Sequence, residues 1–280
     1  MLKKLALIVT TGVVAASFAM NITVSSDANA LAAALLGEGI TLVGDAALTG
    51  GPTSTGLYTG AENFITQGVS TLENGIVLSS GDVGCLANAS NMSKGTSTDF
   101  GGSGDNDLNN LFPDYTTYDA SVLEFDFEVT GEGNVTSSFW YVFGSDEYFE
   151  FVGTIYNDLL GFFVDGENVA LIPGTTTPIS TNTINENSYS EYYIQNNGIY
   201  ATEMDGYTTA FYSEFTLDAG TTHHMKIAIA DATDNVVDSW VVLGGDSFIN
   251  KPHSVPEPGS LFLIAIGMLS LAGYGIRRKK

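Results

Sequence analysis

The chain has 280 residues, a formal net charge of −23 and one cysteine. Between its two apolar termini, residues 31–258 carry three lysines against 31 acidic side chains, which gives a net charge of −28. This charge excludes nucleic acid as a partner, because a phosphate backbone would be repelled. The single Cys85 excludes an intramolecular disulfide framework, so packing or a bound metal must stabilise the fold.

The N-terminus has the pattern of a secretory signal peptide. Lys3 and Lys4 precede an apolar stretch over residues 5–20, and Ala28 and Ala30 supply the small residues that signal peptidase requires. We therefore predict a signal helix within residues 1–30, cleavage after Ala30 and a domain over residues 31–250. A competing site lies after Ala19, and an uncleaved anchor is a third alternative. Either cleavage makes the chain an exported protein.

Period-two alternation predicts β-strands through most of the domain. It is clearest at residues 123–129, where apolar residues alternate with acids, and it resumes at 135–143 after turn residues 131–134, which predicts a hairpin. Further strands are predicted at residues 40–43, 75–79, 159–164, 168–172, 210–217, 225–230 and 239–243. A short helix at 31–36, a flexible acidic loop at 101–108 and a long polar loop at 175–198 complete the prediction.

No convincing helical period connects these strands. The expected fold class is therefore all-β, an antiparallel two-sheet β-sandwich that is jelly-roll-like. One helix is expected on each side of it, the N-terminal signal helix and one C-terminal transmembrane helix.

The C-terminal segment has three parts: a proline-containing linker at 251–258, an apolar run at 259–276 and a basic tail at 277–280. These 18 residues are expected to form a helix of roughly 27 Å, long enough to cross a bilayer. Pro256 and Pro258 mark the edge of this helix. Basic residues stay cytoplasmic, which orients the domain outward. The orienting residues are Arg277, Arg278, Lys279 and Lys280.

The order of these parts closely resembles the PEP-CTERM sorting signal of Gram-negative bacteria. The motif residues are Val255, Pro256, Glu257 and Pro258. The resemblance implies recognition by an exosortase, a membrane-embedded cysteine protease-transpeptidase, and release near the motif. It also implies a precursor anchored in the inner membrane and a product at the cell surface or outside the cell.

Two stretches place acids beside apolar strands, at residues 143–158 and 227–239. Oxygen ligands gathered from strand ends and loops are what Ca²⁺ prefers. The sequence therefore predicts a calcium site, although the same acids are also suited to capping turns. The candidate ligands are Glu147, Asn157, Asp158, Asp231 and Asp238, with Asp105 and Asp107 as weaker candidates.

The aromatic and acidic pattern at residues 143–151 also resembles the choice-of-anchor L domain. Tyr156-Asn157-Asp158, Gly161-Phe162-Phe163, the 168–174 strand and the 229–239 stretch extend the resemblance over most of the exported region. In this family, bacterial surface domains are joined to one of several alternative C-terminal anchors. The resemblance implies no reaction.

We therefore predict a non-enzymatic cell-surface or extracellular-matrix protein, associated with exopolysaccharide or biofilm. One alternative is a calcium-dependent adhesin that binds a surface glycan through aromatic faces. A less favoured one is a polysaccharide hydrolase that uses two of Asp146, Glu147 and Glu150, although Glu147 and Glu150 would face opposite sides of an extended strand. The candidate sugar-binding rings are Tyr189, Tyr192, Tyr193, Tyr200, Tyr207 and Tyr212.

Overall fold

The computed structural model describes residues 20–61, 63–87, 95–198, 200 and 202–250, in which thirteen strands form two sheets. The strands are β1 (Asn21–Val24), β2 (Ile40–Thr49), β3 (Thr55–Thr59), β4 (Asn74–Ser79), β5 (Thr117–Val129), β6 (Asn134–Ser145), β7 (Leu159–Val164), β8 (Glu167–Asn168), β9 (Tyr193–Gln195), β10 (Gly206–Thr208), β11 (Phe211–Asp218), β12 (Thr222–Ala232) and β13 (Ser239–Gly244). The α-helices are α1 (Ala28–Leu35), α2 (Asn63–Thr66) and α3 (Asn106–Leu111), and short 3₁₀ helices lie at Ser70–Leu72, Val83–Ala87 and Ser190–Tyr192.

The first sheet has the strand order β1-β3-β4-β13-β6-β10-β9, with β11 also paired to β6. The second has the order β2-β5-β12-β7-β8. All of the strand pairs in the described ranges are antiparallel. The predicted antiparallel two-sheet sandwich is confirmed.

The main core lies between the inner faces of β5 and β6. On β5, Leu123, Phe125, Phe127 and Val129 are buried, as their alternation with acids predicts. On β6, Phe139, Tyr141 and Phe143 face this core. The opposite face of β6 is also covered, because Trp140 and Val142 belong to a second buried cluster.

The predicted hairpin at residues 131–134 is wrong. Strand β5 pairs with β2 and β12, whereas β6 pairs with β13, β10 and β11 in the other sheet. Residues 131–134 therefore connect the two sheets instead of joining two neighbours. The reason is that both strands carry a fully apolar face, and packing those faces against each other buries more apolar surface than placing them side by side.

Two smaller predictions also need correction. Of the strand predicted at 168–172, only residue 168 lies in a strand, β8, and Leu171 forms an isolated bridge with Pro178. Residues 101–108 are not simply a flexible loop, because α3 begins at Asn106. Asp105 caps α3 by accepting hydrogen bonds from the backbone N–H groups of Asp107 and Leu108.

The N-terminal residues 20–30 belong to the sandwich. Met20 is buried, β1 pairs with β3, and Asp27 caps α1 by accepting a 3.0 Å hydrogen bond from the Ala30 N–H group. Leu31 and Leu35 of α1 are buried in the main core. The predicted domain start at residue 31 therefore falls inside α1, and Ala28 and Ala30 are residues of that helix.

Replacing Asp27 with alanine is expected to lower the free energy of unfolding by about 1 kcal/mol, because the first turn of α1 loses its capping acceptor. Chemical denaturation of the full chain in mild detergent measures the change. Ser26→Ala is the matched control, since Ser26 is exposed beside the cap. Equal stability of the two variants would contradict the capping role.

Among the residues that the structure describes, no helix is long and apolar enough to span a membrane. The predicted signal segment up to residue 19, the linker and sorting motif at 251–258, the transmembrane helix at 259–276 and the basic tail at 277–280 all lie outside those residues.

Candidate functional site

A cluster of acidic side chains lies at one end of the sandwich, where strands of both sheets begin or end. In the first sheet, Ser239 at the start of β13 pairs with Ser145 at the end of β6. In the second, Ala230 near the end of β12 pairs with Leu159 at the start of β7. The chain order therefore brings five carboxyl groups together. They are Asp146, Glu147, Asp158, Asp231 and Asp238, which we call the carboxylate cluster.

All five side chains of the carboxylate cluster are buried. Asp158 and Asp231 have no exposed surface, and none of the five is more than 2% exposed. Burying an ionised carboxylate is costly unless a counter-charge or several hydrogen bonds compensate. The hydrogen bonds and counter-charges near these five carboxyl groups therefore indicate whether their charged forms are stabilised.

Part of that compensation comes from the segment that follows residue 94. Alternate backbone N–H groups of this extended segment point at carboxylates: Thr96 donates to Asp146 Oδ2, and Thr98 donates to Asp238 Oδ1 at 2.9 Å. Farther along, the N–H groups of Phe100 and Gly102 donate to the two oxygens of Asp119, another buried acid. Hydrogen bonds to Asp146, Asp238 and Asp119 thus hold residues 96–102 against the sandwich.

The inner oxygens of the cluster have no such partners. Asp158 Oδ2 accepts from the Ser239 hydroxyl, whereas Oδ1 has no hydrogen bond of normal geometry, although the Ala232 N–H group lies close enough to lower the pKa of this carboxyl in part. Neither oxygen of Asp231 has a hydrogen bond of normal geometry, although Ser80 lies close enough to lower the pKa of this carboxyl in part. The other buried oxygens without a partner are Asp146 Oδ1, Glu147 Oε2 and Asp238 Oδ2.

Burial raises the pKa of every carboxyl in the cluster. The pKa rises to about 6 for Asp238, about 7 for Asp146 and about 8 for Glu147. For Asp158 and Asp231 the pKa is raised well above the ordinary value, first by burial and then by repulsion from neighbouring carboxylates. The charged forms are therefore disfavoured as long as no cation is near.

No described cationic side chain neutralises the cluster. Lys226 is the one lysine or arginine within the described ranges, and its Nζ lies 2.6 Å from both Asp105 Oδ2 and Asp107 Oδ2. His223 lies 2.6 Å from Asp165, and His224 lies 2.7 Å from Asp126. The basic groups of the described region are thus committed to other acids.

Across those same ranges, the side chains of acidic, histidine and cysteine residues do not form a ready-made metal site with three or more members. The packing around the carboxylates is nevertheless close: a Cβ at Gly81 would lie 1.8 Å from Asp238 Oδ2. Residue 81 must therefore be glycine for Asp238 to keep its position.

Four of the five predicted calcium ligands lie in the carboxylate cluster, and Asn157 has a different role. Asn157 Oδ1 accepts hydrogen bonds from the Thr181 hydroxyl and the Asn182 N–H group, so it anchors the 181–182 segment. Asp105 and Asp107 are ion-paired with Lys226. The calcium prediction did not include Asp146, although the sequence places it beside Glu147.

The structure also locates the residues predicted for hydrolysis or sugar binding, together with the single cysteine. Glu147 is buried whereas Glu150 is exposed, so they do not face one cleft. Burial raises the pKa of the Cys85 thiol to about 12, which keeps it protonated. Of the six candidate sugar-binding tyrosines, five pack against other aromatic rings and Tyr189 is exposed.

A match to a known protein family spans almost the whole described sandwich. The family model for the Choice-of-anchor L domain matches residues 20–249. The chain belongs to this family. The match begins at Met20, where the described fold also begins, and ends one residue before the last described residue.

A second model, the PEP-CTERM protein-sorting motif, matches residues 254–279. Both predicted resemblances are therefore confirmed. Together the Choice-of-anchor L domain and the sorting motif identify an exported, surface-directed protein that is recognised by an exosortase.

The other comparisons add little. A search of curated proteins found no match. A solved beta-glucosidase from Kluyveromyces marxianus is 10% identical, with a TM-score of 0.23, over 52% of this chain and 12% of the glucosidase. So low a TM-score carries no information about the fold or activity of this Choice-of-anchor L protein.

Proposed function

We propose that this protein is a non-enzymatic component of the cell surface or extracellular matrix, associated with exopolysaccharide or biofilm. Signal peptidase releases its N-terminus, the apolar segment at 259–276 holds the precursor in the inner membrane, and exosortase then cuts near residues 255–258. The observation that carries this proposal is the position of the sorting motif, which starts at residue 254, just after the domain match ends at residue 249.

The arrangement of reactive groups supports a structural role over a hydrolytic one. A glycosidase needs two carboxyl groups that reach one substrate, whereas Glu147 is buried and Glu150 faces solvent. The Ser247 hydroxyl donates a 2.7 Å hydrogen bond to the Gly244 carbonyl and accepts one from the Trp140 N–H group. The Ser247 hydroxyl therefore stabilises the turn after β13.

The outer surface supports an extracellular location. Along β5, the acids Glu124, Asp126 and Glu128 alternate with core residues and project away from the core. A strongly acidic surface keeps a protein hydrated and monomeric at high local concentration. Carbohydrate binding stays a prediction, which a glycan array with the full chain would test.

Replacing Pro256, Glu257 and Pro258 together with alanine is expected to block processing. The variant should remain in the membrane fraction at the mass of the uncut C-terminus, because the exosortase loses the residues that mark its substrate. Cell fractionation with mass spectrometry measures this in a host that carries the exosortase.

Pro252→Ala is the matched control, since it changes a proline of the same linker outside the motif. The control should be processed like the unaltered protein. Release of the triple variant with a normally trimmed C-terminus would overturn the proposed sorting route.

A further inference from the structure

The inner part of the carboxylate cluster has the chemistry of a cation site. Asp231 is completely buried, and neither of its oxygens has a hydrogen bond of normal geometry, although the Ser80 hydroxyl lies near. Asp158 Oδ1, Glu147 Oε2 and Asp238 Oδ2 are also buried without a hydrogen bond of normal geometry, although the N–H groups of Ala232 and Asp82 lie near Asp158 and Asp238. A buried polar atom without a partner requires an explanation, and a bound cation would supply one for a group of carboxylate oxygens.

We propose that a calcium ion binds at this end of the sandwich, with Glu147, Asp158, Asp231 and Asp238 as its side-chain ligands. The proposal is independent of how the protein is sorted. Binding requires the four side chains to turn toward a shared centre, because as described they do not form a metal site with three or more members.

The identity of the ion follows from the donors. Asp146 and Asp238 Oδ1 already accept backbone N–H groups, so the free ligands are carboxylate oxygens of the inner residues, supported by the hydroxyls of Ser80 and Ser239. Ca²⁺ takes six to eight oxygens in irregular geometry, whereas Mg²⁺ demands a near-octahedral set and Zn²⁺ favours nitrogen and sulfur. An all-oxygen set drawn from four strand ends suits Ca²⁺.

The position of the site indicates what the ion does. Glu147 follows β6, Asp158 precedes β7, Asp231 lies in β12 and Asp238 precedes β13. The ion would therefore connect both sheets at one end. Because Asp238 also accepts from the Thr98 N–H group, the ion would fix residues 96–102 in addition.

Shared protons are the competing explanation for the unpartnered oxygens, and a direct test separates the two. The full chain, purified in mild detergent, is unfolded by heat with a chelator or with Ca²⁺ at about 100 times its Kd. Calcium should raise the Tm by roughly 5–10 °C, and Mg²⁺ at the same concentration should raise it far less. Isothermal titration calorimetry should give one site per chain.

Asp231→Asn keeps the shape of the side chain but removes one charge, so it should fold and should lose at least tenfold in calcium affinity. Glu147→Gln is a second variant with the same expectation. Asp114→Asn is the matched control, because Asp114 is exposed on another loop, and its calcium response should be unchanged. Wild-type affinity in Asp231→Asn and Glu147→Gln, or the absence of any calcium shift in the unaltered chain, would overturn the proposal.

Discussion

In the presence of a chelator, the protein is expected to be less stable at pH 8 than at pH 5. The folded pKa values are about 6 for Asp238, about 7 for Asp146 and about 8 for Glu147, whereas unfolded carboxyl groups titrate near pH 4. Between about pH 4 and pH 8 the folded state therefore binds protons that the unfolded state has released. Stability must fall as the pH rises through this window.

The expected loss is several kcal/mol, since each unit of pKa shift corresponds to about 1.4 kcal/mol and all three carboxyls act in the same direction, although they titrate together rather than independently. The other titratable groups that act on these three carboxyls raise their pKa values further. They are Asp119, Asp205, Glu203, Asp231 and Asp234. Saturating calcium should flatten the pH dependence, because the ion replaces the protons.

His223 contributes in the same direction and needs its own control. Its hydrogen bonds with the Asp218 carbonyl and Asp165 raise its pKa, although burial opposes them, so the stability it provides is present at low pH and lost as pH rises through that raised pKa. His223→Gln removes this part and leaves the cluster. Urea denaturation at pH 5 and pH 8 measures the stability of the unaltered chain and of the His223→Gln variant. A stability that rises with pH in the chelated His223→Gln variant would contradict the pKa values of the cluster.

The mature protein is expected to begin at Met20 rather than at Leu31. Cleavage after Ala30 would remove β1 from the edge of its sheet and cut α1 behind its Asp27 cap. Losing buried Met20, the pairing of β1 with β3 and the helix cap should cost on the order of 4 kcal/mol, a large share of the stability of a typical domain. Cleavage after Ala19 leaves all of these in place.

N-terminal sequencing of the exported protein by mass spectrometry tests this expectation. Two matched variants locate the cut independently, since signal peptidase needs a small residue before the scissile bond. Ala19→Gln should accumulate as precursor, whereas Ala30→Gln should be processed normally. A mature N-terminus at Leu31, with processing lost only in Ala30→Gln, would show that the fold tolerates the loss of β1.

The long strands could be predicted from the sequence because each carries its own periodic signal. Residues 123–129 alternate without a break, and β7 is a continuous apolar run that was predicted at its observed bounds, Leu159–Val164. Strands β9 and β10 have only three residues each, and β1 lies within a segment with a signal-peptide pattern. Such short segments carry too few residues for a period to be recognised.

The sequence by itself determined that the protein is exported, where its sorting motif lies and which face of β5 enters the core, since each of these signals consists of consecutive residues. The tertiary structure decided which strands pair, because the alternation along β5 and β6 does not by itself distinguish a hairpin from strands in opposite sheets. It also decided the site. Glu147 and Asp231 are 84 positions apart in the chain, and only the packing of the two sheets brings their carboxyl groups into one buried cluster.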